Sequence, residues 1–452
     1  MRPLTKSMRI GVRDRRIRAL LGRLLRAGLA AADPRQAVRH IVARTKTGVQ
    51  VAGRLYNLRG GGKIVSIGSG KAAASMAVAL EQLLGAKLTG GLVAVKRGYA
   101  LPTRRIRVVT AGHPVPDGAG QRAASRILAL VKGLIRDDLL IVLLSGGASS
   151  LLPLPAPGLT LADKQRTTQL LLKSGATIRE INIVRKHLSA IKGGRLAAAT
   201  HARVVTLILS DVIGDDLGTI GSGPTAPDAT TYADACAILR RFRIWNLASA
   251  RVRRHLRKGR HGGLDETPKP GAPLFRRVRH HVLGNNRTTV KAVHREARRD
   301  GFRPYVLPLA MTGDVRNAAA SFGRLARTIV ASGKPVRPPA CLIAGGELTV
   351  TVRGTGRGGR AQEFALAAAM EIAGLPNVWI VGVGTDGTDG PTDAAGAVVD
   401  GGTLARAKKN GLDAARFLRR NDAYTFFKQA GGHIVTGPTG TNVNDLYLMI
   451  VQ

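Results

Sequence analysis

The sequence predicts an α/β protein with two doubly wound domains and mainly parallel sheets. The chain has 452 residues, which is more than one domain usually holds. Apolar runs of strand length alternate along it with Ala-rich stretches of helical length. Hydrophobic residues make up 44% of the chain, aromatic residues only 4%, and 56 residues are glycine. A core of small aliphatic side chains suits helices packed closely on a parallel sheet.

The predicted elements follow one another in the order that such a fold requires. The runs predicted as strands are 63–68, 91–96, 106–111, 139–145, 204–211, 282–283, 304–309, 340–344, 379–384 and 446–451. The main helices predicted between them are 71–84, 118–134, 288–299 and 361–372. The Arg-rich N-terminus has the composition of a transit peptide, but it is poor in Ser. Its apolar residues stand at helical spacing, which favours a docked first helix: Ile17, Leu20, Leu21, Leu24 and Leu25.

One interruption of the alternation predicts the domain boundary. Residues 258–279 are rich in Gly, Pro and charge and have no hydrophobic periodicity, which is typical of a linker. We therefore predict a Rossmann-like α/β domain over 12–257 and a second α/β domain over 280–452. Ligands of open α/β sheets bind off the carboxyl ends of the strands.

Composition excludes several classes of protein. Two cysteines cannot make a disulfide framework or a Cys-based zinc site, and they favour a reducing compartment, so we expect a cytoplasmic location. No apolar run reaches the ~18 residues of a membrane span. The net charge of +42 would attract polyanions. Its basic clusters are scattered and no nucleic-acid-binding motif accompanies them, so we predict a generically basic surface, with nucleic acid an improbable partner.

Two glycine-rich turns follow predicted strands. The turn 68–73 places Gly70 and Lys71 at a helix start, where a lysine is unfavourable unless an anion is bound. The same turn matches a loose dinucleotide-binding pattern, or it is only a tight turn. The second turn, 145–150, resembles an anion cradle made by Ser145, Gly146, Gly147 and Ser149. We favour that interpretation over a serine nucleophile, because no G-x-S-x-G elbow surrounds these serines.

Acidic residues gather at other strand ends. Ten of the 28 acids lie within 211–228, 347–363 and 386–400. Oxygen ligands on loops suit Mg²⁺, which binds a few carboxylates together with substrate phosphates. We predict Asp211, Asp386 and Asp389 as metal ligands, with Asp211 also a candidate catalytic residue; the alternative is simple loop capping by Asp. The Gly-rich loop 354–363 carries Arg360, whose planar fork suits a phosphoryl group or a carboxylate.

Taken together, these sequence motifs resemble those of the type II glycerate kinases, the glycerate 2-kinase family with a C-terminal MOFRL domain. The resemblance runs from about residue 31 to 451, and its most specific part is the segment 174–195. Further matches lie at 112–117, 209–215, 221–225, 384–393 and 436–445. The family's important lysine falls on Lys71 and its arginine on Arg360. One departure is visible: the family usually has Asn after that arginine, whereas this chain has Ala361.

The resemblance implies ATP-dependent phosphorylation of D-glycerate at the 2-hydroxyl, with Mg²⁺ or another divalent cation. It also implies an active site in the cleft between the two domains. Phosphoryl transfer needs cations on the moving phosphate, a metal and an oriented hydroxyl. The residues that we predict to contact ATP or substrate are Gly70, Ser145, Gly146, Gly147, Ser149, Arg185, Lys192, Gly223, Thr225 and Glu347.

Two other functions stay open at this point. An NAD(P)-dependent hydroxypyruvate reductase would use the glycine pattern at 68–73, but hydride transfer gives no role to so many loop acids. A nucleic-acid-binding protein rests on charge alone. For the kinase we expect D-glycerate and ATP as partners, no membrane, and a homodimer.

Overall fold

The computed structural model describes residues 8–58 and 61–452. Its strands are β1 (Arg9–Ile10), β2 (Val42–Arg44), β3 (Gly48–Val51), β4 (Arg54–Asn57), β5 (Ile64–Ser69), β6 (Leu88–Lys96), β7 (Ile106–Ala111), β8 (Leu139–Leu144), β9 (Arg203–Leu209), β10 (Val278–Gly284), β11 (Arg303–Val306), β12 (Met311–Asp314), β13 (Ala340–Thr349), β14 (Val378–Gly384), β15 (Gly396–Asp400), β16 (His433–Val435) and β17 (Asp445–Val451).

The α-helices alternate with these strands over most of the chain. They are α1 (Arg15–Ala31), α2 (Pro34–Ile41), α3 (Ala73–Leu84), α4 (Gly118–Lys132), α5 (Ala148–Leu151), α6 (Leu161–Lys173), α7 (Ile178–His187), α8 (Arg195–Ala198), α9 (Tyr232–Arg241), α10 (Ala250–Arg260), α11 (Asn286–Arg299), α12 (Val315–Ser332), α13 (Arg360–Glu371), α14 (Thr403–Lys409), α15 (Ala414–Arg419) and α16 (Ala423–Ala430). No helix among the described residues is long and apolar enough to cross a membrane.

The chain divides into two compact units, and the unit that holds residues 34–283 is called the first unit here. Its main sheet has the strand order β10-β9-β8-β5-β6-β7, and the neighbours from β9 to β7 run parallel. All six residues of both β5 and β8 are buried, because helices cover both faces of a doubly wound sheet. A small antiparallel sheet of β2, β3 and β4 also belongs to this unit.

The second unit holds residues 8–33 together with 284–452. Its sheet has the order β1-β16-β15-β14-β17-β13-β11, with β12 also paired to β13. This sheet is mixed: β11 and β12 run parallel to β13, while β17 runs antiparallel to both β13 and β14. Helices α1 and α11 pack on one face, and α12 and α13 on the other. All seven residues of β17 are buried between these layers.

The α/β class and most predicted elements agree with the structure, but the division of the chain differs from the predicted boundaries. Helix α1 is the predicted docked helix, yet it packs with the second unit, because its apolar face meets α11 and the sheet there. Residues 258–279 are not a free linker. Within them Thr267 is buried, Lys269 donates to Glu266 at 3.1 Å, and the chain leads into β10, the edge strand beside β9.

Candidate active site

In the first unit, the two predicted glycine-rich turns lie side by side and bond to each other. They meet because β5 and β8 are parallel neighbours, with Ser69 opposite Leu144. The Lys71 N–H donates to the Gly146 carbonyl at 2.9 Å, and the Ala72 N–H donates to Ser145 Oγ at 2.9 Å. Gly70 has φ 128° and no room for a side chain, since a Cβ there would lie 2.2 Å from Ser145 Oγ. The half-buried Lys71 is thus presented at the carboxyl edge of the sheet.

Ser145 differs from its predicted role. Its side chain is 1% exposed and its hydroxyl oxygen receives the Ala72 N–H, so it supports the Lys71 turn from inside. Gly146 contributes its carbonyl to the same contact. Gly147 has φ 85° and begins α5 beside the ring of His113, which leaves no space for a Cβ. The cradle of free hydroxyls that the sequence predicts is therefore mostly an internal hydrogen-bonded junction.

Ser149 and Lys192 are joined in a buried network. Lys192 Nζ donates to Ser149 O and Oγ, both at 3.0 Å, and to the Gly221 carbonyl at 3.1 Å. Ser149 Oγ also lies 2.9 Å from Ser222 Oγ, which donates to Asn182 Oδ1 at 3.1 Å. Burial, followed by the charges of nearby cations, lowers the pKa of Lys192 below its ordinary value.

Two further residues that the sequence predicts to contact ligand are bonded to other groups of the protein. Thr225 is 1% exposed, and its hydroxyl bonds to Thr206 Oγ1 at 2.9 Å and to His280 Nε2 at 3.1 Å inside the unit. Gly223 has φ 62° and its carbonyl receives the Gly194 N–H at 2.7 Å. Both shape the turns that follow β9 rather than offering polar groups to solvent.

Asp211 is half-buried and comes directly after Ser210 at the end of β9. Arg185, on α7, is also half-buried, and burial lowers its pKa below the ordinary arginine value. Within the described residues its guanidinium has no hydrogen-bond or ion-pair partner, in contrast to the other buried cations of this unit.

In the second unit, Arg360 is clamped by two carboxylates. Its Nε and Nη2 donate to the two oxygens of Asp445 at 2.5 and 3.1 Å, and its Nη1 donates to Glu347 at 2.8 Å. Asp445 is the first residue of β17, paired with Gly346 on one side and Gly384 on the other, and it is buried. Burial alone would lower the pKa of Arg360, but Asp445 and then Glu347 outweigh it and raise that pKa.

The helix that carries Arg360 is capped by Asp389. The two Asp389 oxygens accept the N–H groups of Ala361 at 3.0 Å and Gln362 at 2.8 Å, and Gln362 Nε2 adds a further bond at 3.0 Å. Burial raises the pKa of Asp389 to about 6. These contacts fit an N-terminal cap of α13 and differ from the predicted metal-ligand role, because both oxygens already face donors. Ala361 is fully buried at this cap.

Asp386 is the remaining predicted metal ligand of this unit. It follows β14, is half-buried, and accepts the Thr388 N–H at 3.0 Å through Oδ1. Its charge contributes to the raised pKa of Asp445, whose first cause is burial. No group of three His, Cys, Asp or Glu side chains in the described part of the chain could hold a metal by itself.

The structure thus brings together some predicted residues and adds one that sequence reasoning missed. Lys71 lies with Gly70, Ser145 and Gly146, and Ser149 with Lys192, in the first unit; Arg360 lies with Glu347 in the second. The missed residue is Asp445. Its signal was an acid placed directly before the six apolar residues 446–451, where an unpaired carboxylate would be costly to bury.

Two family descriptions match the chain. The domain of unknown function DUF4147 matches residues 20–257, which is about half of the chain. The MOFRL family matches residues 340–445, the segment that holds the Arg360 cluster and the Asp389 cap.

Named relatives match over nearly the whole length. A glycerate 2-kinase from Pyrococcus horikoshii is 41% identical over 96% of this chain and 97% of its own. A D-glycerate 2-kinase from Thermotoga maritima is 41% identical over 86% of this chain and 91% of its own. A protein from Agrobacterium vitis, whose name only suggests a hydroxypyruvate reductase, is 42% identical over 96% of this chain and 94% of its own.

A solved structure is also similar. The crystal structure of a glycerate kinase from Thermotoga maritima superposes with a TM-score of 0.85 at 38% identity, covering 97% of this chain and all of the other. The predicted resemblance is therefore confirmed. The chain belongs to the glycerate kinase family whose members combine a DUF4147 domain with a C-terminal MOFRL domain.

Proposed function

We propose that this protein is a kinase that transfers the γ-phosphoryl group of ATP to the 2-hydroxyl of D-glycerate and so makes 2-phosphoglycerate. The observation that carries the proposal is the Arg360 cluster, in a chain whose relatives bear the names glycerate 2-kinase and D-glycerate 2-kinase. A guanidinium fixed by two carboxylates is preorganised, so it needs no rearrangement as charge develops on a transferring phosphoryl group. Two of its five N–H groups remain beyond the three that these carboxylates receive.

Lys71 is the second cation in this proposal. Its backbone is fixed by the Gly146 carbonyl and its neighbour by Ser145, so the direction in which the side chain leaves the turn is set by the strand register. A fixed lysine at a strand end suits an anionic oxygen of the nucleotide or of the acceptor. Phosphoryl transfer requires little covalent work from the protein, which is why positioned cations carry most of the catalysis.

For the divalent cation we propose Mg²⁺. Asp211 and Asp386 are the half-buried carboxylates at strand ends that suit it, Asp211 in the first unit and Asp386 in the second. When bound, the ion would neutralise phosphate charge. Asp211 is also our candidate to receive the proton of the acceptor hydroxyl. Asp389 is left out of this assignment because it caps α13.

The expected setting follows from the same assignment. Both cysteines, Cys236 and Cys341, are free and buried, which supports the cytoplasm as the location. A homodimer stays a prediction, which light scattering on the purified protein would check.

The decisive experiment identifies the product. The protein is incubated with D-glycerate, ATP and Mg²⁺, and the phosphoglycerate is assigned by ³¹P and ¹³C NMR. We expect 2-phosphoglycerate, and its formation should stop when Mg²⁺ is replaced by EDTA. A parallel incubation with hydroxypyruvate and NADPH tests the reductase. Oxidation of NADPH without any kinase activity, or 3-phosphoglycerate as the only product, would overturn the proposal.

A further inference from the structure

Three cations of the first unit lie within range of one another's charge, and among the described residues none of them has an acidic partner. They are Lys164 on α6, Arg185 on α7 and Lys192 in the turn after α7. Lys164 and Lys192 are buried and Arg185 is half-buried. Within the described residues, none of the three forms an ion pair. The neighbouring Lys186 shows the usual arrangement, since its Nζ lies 3.2 Å from the buried carboxylate of Asp228.

The two lysines are held in place by oxygen atoms of the protein. Lys164 Nζ donates to the Leu188 carbonyl at 3.0 Å. The three acceptors around Lys192 Nζ equal the three N–H groups of an ammonium ion. Ser222 gives its proton to Asn182, so the proton of Ser149 is the one left for the contact between the two serines. Lys192 must then donate to Ser149, which means that it carries its charge.

Arg185 stands apart from the two lysines because its donors are unused. A half-buried guanidinium has five N–H groups, and in Arg185 none of them meets an acceptor among the described residues, so all five are available to a ligand. The charges of Lys164 and Lys192 repel that of Arg185. Burial, together with the charge of Arg185, lowers the pKa of Lys164 to about 7. An anion bound at Arg185 would remove the repulsion and supply the missing acceptors.

We propose that Arg185 binds the carboxylate of the acceptor substrate, and that Lys164 and Lys192 are positioning residues that supply positive charge behind it. The inference rests on the proposed kinase function, in which the acceptor is a glycerate anion. The planar arginine fork binds a carboxylate or a phosphate through two parallel hydrogen bonds. We assign the site to a carboxylate because the proposed acceptor, glycerate, carries one and its two oxygens match the arginine fork.

The test is direct binding, measured by calorimetry for D-glycerate and for ATP separately. In Arg185→Met we expect D-glycerate binding to weaken about 30-fold or more, the loss of a charge-assisted contact of about 2 kcal/mol. ATP binding should change less than about twofold. Arg179→Met is the matched control, since Arg179 is an exposed arginine of the same helix, and it should bind both ligands as the wild type does. Arg185→Lys should recover only part of the affinity, and melting curves show whether each variant is folded.

The outcomes separate this inference from the proposed function. Loss of ATP binding alone in Arg185→Met would make the cluster a nucleotide phosphate site and overturn the carboxylate assignment. Unchanged D-glycerate binding in Arg185→Met would overturn it while leaving the kinase reaction intact. A wild-type protein that binds no D-glycerate would instead refute the proposed function itself.

Lys164 gives a second readout that a purely structural residue would not change. The titratable and charged groups whose charge acts on Lys164 among the described residues are Arg185, Lys192 and His255, and none of these is an acid. A bound carboxylate favours the charged form of Lys164, so the affinity for D-glycerate should fall as pH rises above about 7. In Lys164→Met that slope should disappear. An identical slope in the variant would show that Lys164 does not contribute to binding.

Discussion

Replacing Asp445 with Asn removes the carboxylate on which the position of Arg360 depends. The carboxylate receives two N–H groups of Arg360 and the hydroxyl of Tyr447, and it is buried at the start of β17. An Asn side chain keeps the volume and one acceptor but turns an NH₂ group toward an arginine donor. We expect Asp445→Asn to lower both stability and kcat.

The size of the stability loss follows from the burial of the pair. Breaking a buried ion pair from one side costs about 3–5 kcal/mol. The Arg360 side chain is 33% exposed and keeps Glu347 as a partner, so the lower end of that range applies, about 3 kcal/mol. For a unit of this size that corresponds to a fall in Tm of about 6–12 °C. In activity, the loss of one positioned donor predicts a kcat about 10²-fold lower.

The assay combines thermal melting with steady-state kinetics at saturating ATP and D-glycerate. Glu347→Gln is the matched control, because it removes the other carboxylate of the same arginine from a side chain that is 45% exposed. That exposed contact should contribute less than about 1 kcal/mol. If Asp445→Asn melts within about 2 °C of the wild type and keeps its kcat, Asp445 does not position Arg360 and the reasoning fails.

Four further predictions follow from the same contacts. Lys71→Ala should keep its fold and lose about 10²–10³ in kcat/KM, and a near-normal value would make Lys71 structural. Arg360→Lys keeps the charge but not the fork, so kcat should fall well beyond threefold; a smaller loss, under ~0.7 kcal/mol, would exclude a transition-state contact. Asp389→Asn should destabilise by about 1–3 kcal/mol, measured by urea unfolding, because an NH₂ group then faces an N–H donor at the α13 cap; unchanged unfolding would contradict the cap. The unfolded chain binds a proton at Lys164 more strongly than the folded one, whose pKa there is about 7, so between pH 7 and about 10 this residue makes stability rise with pH. The difference in Tm between wild type and Lys164→Met should therefore change across that window, and a constant difference would contradict the shift.

The buried parallel strands were predictable because both of their faces are covered. In β5 and β8 every residue is buried: β8 is an unbroken apolar run, and β5 combines Ile and Val with small Ser and Gly, so both contrast with the Ala-rich helices beside them. The short antiparallel strands were missed. β16 has three residues and only Ile434 is fully buried, and β15 begins with Gly and Ala, so neither has enough apolar contrast to stand out.

The predicted domain boundary differs from the division of the structure into two units for a related reason. Residues 258–279 are held by scattered contacts that show no periodicity: Leu274 and Phe275 pack on a hydrophobic cluster, and Lys269 donates to Glu266. The sequence predicts helix α1, but the apolar stripe of the helix does not show which sheet it covers. In both cases the missing information is tertiary.

The roles of individual site residues depended on register, which the sequence does not show. Ser145 stands in a turn rich in Gly and Ser, which predicts an anion cradle, but the pairing of β5 with β8 places the N–H of Ala72 against its hydroxyl. Asp389 stands in an acidic loop, which predicts a metal ligand, but its carboxylate accepts the N–H groups of Ala361 and Gln362. A polar side chain at a strand end can serve a ligand or a neighbouring loop, and only the structure distinguishes the two.

The two proposed catalytic cations are held by the same local device, one in each unit. Lys71 follows Gly70 and Arg360 follows Gly359; a Cβ on either glycine would lie 2.2 Å from a polar oxygen, Ser145 Oγ in the first case and Asp389 Oδ1 in the second. In both turns that oxygen accepts the N–H of the residue after the cation, at 2.9 Å in the first and 3.0 Å in the second. Because neither glycine has a side chain, an oxygen of a neighbouring loop can accept a backbone N–H at the helix start. The backbone beside the cation is thereby fixed, and only the side chain of the cation can move. The glycines before Lys71 and Arg360 therefore help to fix the positions of the two charged side chains.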